Sequence, residues 1–86
     1  MFKVVVHKNV VKRLKNLKKA HLKKLAEVLE TLKTNPIPWK EFDVRKIEGE
    51  ENTYRIRIGD FRLVYFVDEK NKTIHAIKLE RRGRVY

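Results

Sequence analysis

The 86-residue sequence predicts an α+β domain. Its parts are an N-terminal strand, a two-helix antiparallel hairpin and a mainly antiparallel sheet of about four strands, in the order β-α-α-β-β-β. Three observations point there. Thr53 to Val67 holds two alternating apolar runs joined by Gly59-Asp60, the pattern of a β-hairpin. Leu22, Leu25, Ala26, Leu29 and Leu32 recur at helical spacing. Phe2 to Val6 and Thr73 to Leu79 are strand-like runs near the two ends of the chain.

The elements follow in order. Phe2, Val4 and Val6 share one face of the first strand, and Val5 on the other face implies cover on both sides. Lys8 to about Lys18 reads as a helix with Val10, Val11, Leu14 and Leu17 as its apolar stripe. Ala20 to Thr34 reads as a second helix, widened by Val28 and stopped at Asn35-Pro36, because a residue before proline leaves helical geometry. A compact domain must lay both stripes on a sheet, so a tight turn is expected between Lys18 and His21. Pro36-Ile37-Pro38-Trp39 is an extended connector, and Trp39 and Phe42 are expected to pin it to the core, the alternative being that they stack on bases. Phe42 to Ile47 could add a short strand to these four, and Glu48 to Asn52 is an acidic loop.

The hairpin is the organising element. A two-residue loop with glycine first suits a type II′ turn and fixes the register. Ile58 then faces Phe61, Arg57 faces Arg62, Ile56 faces Leu63, Arg55 faces Val64 and Tyr54 faces Tyr65. Tyr54, Ile56, Ile58, Phe61, Leu63 and Tyr65 must bury, which leaves Arg55, Arg57 and Arg62 on the opposite face. Two arginines directly opposite repel. An anion between them would relieve this, and guanidinium forks match phosphate geometry. The alternative is a solvated face, or arginines paired with acids from elsewhere in the chain. Asp68 to Lys72 turns the chain again, Thr73 to Leu79 alternates as the last strand, and Glu80 to Tyr86 is a tail.

Net charge is +11, so the partner should be acidic: nucleic acid, an anionic membrane surface or an acidic protein. Only Glu27 and Glu30 precede Trp39 among the acids. Lys12, Lys15 and Lys19 belong to the basic surface this leaves on the first third, and they would steer a polyanion. No apolar run approaches membrane-spanning length and no signal peptide is evident, so a cytoplasmic location and no membrane partner are expected. Cysteine is absent, which excludes thiolate metal sites and disulfides. The absence of Gln and Ser with 38% charged residues leans towards a thermophilic source. No internal repeat or linker divides residues 1–86.

His7, His21 and His75 lie at no metal-ligand spacing, and no serine or cysteine nucleophile or phosphate-binding glycine loop is present. What remains is Arg55, Arg57, Arg62, Arg82 and Tyr86. These suit RNA cleavage, since RNA supplies its own 2′-hydroxyl nucleophile and the protein need only align it and stabilise charge. Arginine accepts protons poorly, so such a site should be slow and dependent on how the RNA is presented.

The helical hairpin, Tyr54-Arg55-Ile56-Arg57-Ile58, Gly59-Asp60-Phe61-Arg62-Leu63-Val64-Tyr65 and Lys78-Leu79-Glu80-Arg81-Arg82-Gly83-Arg84-Val85-Tyr86 together resemble RelE-type toxins of the RelE/ParE superfamily, its archaeal branch above all. The resemblance implies a ribosome-dependent endoribonuclease that needs no cofactor or metal. It cuts mRNA in the ribosomal A site, leaving a 2′,3′-cyclic phosphate and a 5′-hydroxyl, and an acidic RelB-type antitoxin blocks it. Arg55 and Arg57 match two basic positions of the family, the second being the proposed general base. Arg62 matches the arginine holding the scissile phosphate, and Arg82 the one stabilising the transition state or protonating the leaving group. Tyr86 matches a tyrosine that stacks on the cut nucleotide. Arg81 and Arg84 join the RNA-binding set. Arginine at position 57, where the family's best-known branch has lysine, departs from the pattern. Rival readings are a ParE-like gyrase inhibitor, a non-catalytic ribosome- or RNA-binding module, and an inactive toxin.

Overall fold

The computed structural model describes residues 1–81. Strand β1 (Lys3–Val6) leads into helix α1 (Lys8–Arg13), a 3₁₀ turn over Leu14–Asn16 and helix α2 (Lys19–Leu32). Strands β2 (Val44–Lys46), β3 (Thr53–Ile58), β4 (Phe61–Asp68) and β5 (Thr73–Arg81) follow. The sheet has five strands in the order β1-β5-β4-β3-β2, with β1 parallel to β5 and every other pair antiparallel. The α+β expectation holds. The extra strand is β2, and β5 runs through Glu80 and Arg81, which the sequence had assigned to the tail.

The hairpin register is the one set by the Gly59-Asp60 loop: Ile58 opposite Phe61, Arg57 opposite Arg62, Tyr54 opposite Tyr65. Gly59 has φ +59, and Asp60 is not among the positive-φ residues, as a II′ turn requires. Ile56, Ile58, Leu63 and Tyr65 are fully buried and meet Val10, Leu25, Val28 and Leu32 from the helices. The Phe2 N–H donates to the Lys33 carbonyl at 2.7 Å, which returns the end of α2 to the start of β1. The Tyr65 hydroxyl donates to the Pro36 carbonyl at 2.8 Å and ties the connector to the sheet.

Four local expectations are corrected. Helix α1 stops at Arg13, and the turn falls at Leu17-Lys18, earlier than the sequence suggested, because Leu17 bends into the core in extended conformation. Val11, Leu22 and Ala26 are exposed, so the buried stripe of α2 is Leu25, Val28 and Leu32, with Leu29 partly buried. Trp39 is 67% exposed, while Phe42 alone of the two aromatics packs on the core. Strict alternation fails in β5, where a bulge pairs Val64 with Lys78 but Tyr65 with Ala76. Ile77 is the extra residue, so Ile74, Ala76 and Leu79 all bury.

Candidate nucleic-acid interface

The outer face of the sheet, away from the helices, carries two cross-strand rows. Arg57 lies opposite Arg62, and Arg62 opposite Glu80. On the other side, the Arg57 N–H donates to the Asp43 carbonyl at 3.1 Å. The row is therefore Asp43, Arg57, Arg62, Glu80. The next row is Arg45, Arg55, Val64, Lys78. Asp43, Arg45, Arg55, Arg57 and Arg62 line a cleft of about 250 Å³. Four guanidinium groups share it with one carboxylate.

Neither reading of the hairpin arginines is complete by itself. Asp43 Oδ2 lies 3.7 Å from Arg57 Nη1, and Asp43 Oδ1 lies 3.6 Å from Arg45 Nε. Both contacts are longer than a hydrogen bond and involve exposed groups, so each contributes about 0–1 kcal/mol. They soften the repulsion without occupying the arginines. Arg62 differs. Its Nε is buried and has no hydrogen-bond partner among the described residues. An unsatisfied buried donor on a charged group costs on the order of 1–3 kcal/mol, and an anion in the cleft would remove that cost.

A second cleft of about 820 Å³ continues from Arg55 across Val64, Ile77, Lys78, Thr53, Glu48 and Glu50. Val64 is only 5% exposed yet stands outside the core cluster. Its neighbours Arg55 and Lys78 are long side chains whose aliphatic stems can cover it.

The structure thus brings Arg55, Arg57 and Arg62 together. Arg81 pairs with Phe61, on the helix-side face, and its Cζ lies 5.6 Å from the Phe61 ring centroid. Lys12, Lys15 and Lys19 are exposed on the helical layer, across the sheet from the cleft. Arg82, Arg84 and Tyr86 lie outside the described residues. Sequence reasoning missed Arg45 and Asp43. The only signal was a short alternating run after Phe42, and its register with the hairpin is non-local. It also kept the histidines apart, whereas His7 Nε2 and His75 Nδ1, 68 residues apart, are within 2.9 Å. No group of three or more metal-binding side chains forms among the described residues.

Comparison with known proteins places this small basic α+β domain in a toxin class. Residues 4–86 match the family model described as the ParE toxin of type II toxin-antitoxin system, parDE. The chain is 46% identical over 85 residues to the RelE1 protein of Methanocaldococcus jannaschii, covering 99% of this chain and 94% of that one. A chain of the archaeal RelE-RelB complex from Pyrococcus horikoshii superposes with a TM-score of 0.87 at 43% identity, covering 98% of each chain. A chain of the RelB-RelE complex from Methanococcus jannaschii gives 0.79 at 27% identity, covering 90% of this chain and 88% of that one. The chain belongs to the ParE toxin family of type II toxin-antitoxin systems, as a RelE-like member.

Proposed function

We propose that this RelE-like toxin is a ribosome-dependent endoribonuclease. It enters the A site and cleaves mRNA by attack of the substrate's own 2′-hydroxyl, leaving a 2′,3′-cyclic phosphate and a 5′-hydroxyl. The observation that carries the reading is the cleft with Arg55, Arg57 and Arg62 side by side and a buried Arg62 Nε that has no partner among the described residues. Arg62 would grip the scissile phosphate, and Arg57 and Arg55 would spread the charge that develops on phosphorus. By the resemblance, Arg82 would stabilise the transition state or protonate the leaving group, and Tyr86 would stack on the cut nucleotide. A charge of +11 suits ribosomal RNA and equally suits an acidic RelB-type antitoxin, and two solved archaeal relatives are complexes with RelB. The toxin acts in the cytoplasm, where both partners are, and uses no small-molecule cofactor.

Mapping transcript ends after brief induction tests this. Breaks phased to codons, with 5′-hydroxyl ends, support the nuclease. DNA damage with intact mRNA would support the rival reading, a ParE-like gyrase inhibitor. Arrested translation with intact mRNA would mean a blocking module.

A further inference from the structure

An arginine cluster leaves the cleavage reaction without a proton acceptor, since guanidinium groups have none to offer. We infer that Asp43 is the general base that takes the 2′-proton, an inference that rests on the cleavage reading above. It is the one carboxylate lining the arginine cleft among the described residues. A carboxylate beside an anion site weakens anion binding, so its presence there calls for a reason.

Its placement fits the role. The Asp43 main chain is fixed against β3 by the Arg57 N–H, so the carboxylate stands at the end of the Arg57–Arg62 row. Its oxygens approach Arg45 and Arg57 at 3.6 and 3.7 Å without closing a hydrogen bond, so both keep lone pairs for an incoming hydroxyl. The side chain is 45% exposed and open to substrate. In the step, an Asp43 oxygen accepts the 2′-proton while the 2′-oxygen forms its bond to phosphorus. The bond from phosphorus to the 5′-oxygen breaks, and the 5′-oxygen leaves with that electron pair and takes a proton from water. Asp43 then returns its proton to solvent.

The competing role is structural: Asp43 could merely hold Arg45 and Arg57 apart. Single-turnover and steady-state cleavage by programmed ribosomes separates the two. Asp43→Asn keeps the shape and removes the base. Its kcat should fall about 10²- to 10⁴-fold with KM little changed, and Asp43→Glu should restore part of the rate. The acid limb of the wild-type kcat profile should vanish in Asp43→Asn. The charged groups facing Asp43 are Arg45 on β2, Arg55 and Arg57 on β3 and Arg62 on β4, which stay charged throughout, with Glu80 on β5 beyond Arg62. Asn variant activity within about threefold of wild type, or a loss confined to KM, would overturn the inference. Wild-type protein that leaves ribosome-bound mRNA uncut would instead overturn the cleavage reading on which it stands.

Discussion

Gly59 has φ +59 at the first position of the hairpin loop, and a Cβ there would overlap the His21 ring. Both facts bear on one substitution. Gly59→Ala should destabilise the domain by about 1–3 kcal/mol in chemical denaturation, and His21→Ala in the same chain should recover the part due to overlap. Tyr65 gives a second expectation. Burial, with a smaller contribution from neighbouring Tyr54, pushes its phenol well above the ordinary value. A raised phenol favours the neutral folded form. Its stabilisation is fully present below the unfolded pKa of about 10 and is lost as pH climbs beyond it. Melting temperature should therefore drop above about pH 10, and less steeply in Tyr65→Phe. At neutral pH that variant should lose about 0.5–1.5 kcal/mol with the hydrogen bond to Pro36. At this level some residues were legible and others were not. The Arg57–Arg62 pairing follows from counting outwards from a two-residue loop. Asp43 and Arg45 reach the cleft through a three-residue strand whose register depends on contacts far along the chain.

Helix α2 shows how a correct element can hide a rotated face. The spacing of Leu22, Leu25, Ala26, Leu29 and Leu32 identifies the helix, but five apolar positions are more than the sheet can cover. Leu25, Val28 and Leu32 face the sheet. Leu32→Ala should cost about 2–5 kcal/mol, whereas Leu22→Ala, at a position 40% exposed, should cost under about 1 kcal/mol. Equal losses at the two positions would mean that the helix sits rotated from the arrangement described. Strand β5 failed to alternate for a different reason. Its bulge is a matter of pairing with β4, and nothing within Thr73 to Leu79 marks Ile77 as the extra residue. The connector misled in a third way. Pro36 and Pro38 anchor it, Pro38 being among the most deeply buried side chains, so Trp39 is free to point outward.

The molecule as a whole divides its labour between two faces. One face of the sheet buries against the helices and supplies stability; the other carries no helix among the described residues and collects arginines. Strand order matters here, because β3 and β4 stand inside the sheet while β2 at the edge adds Arg45 and the preceding Asp43. The +11 charge should make association with ribosomes or RNA weaken steeply with salt, and each phosphate-contacting arginine removed should lower the slope of log affinity against log salt by about 1. The central claim is that the outer-face cleft grips the phosphate through Arg62. Its most direct test is single-turnover cleavage of mRNA on programmed ribosomes by wild type and Arg62→Ala, with melting temperatures in parallel. Loss of about 10²- to 10³-fold in rate with the fold intact is the expected result. An Arg62→Ala protein that melts like wild type and cuts at the wild-type rate would contradict it.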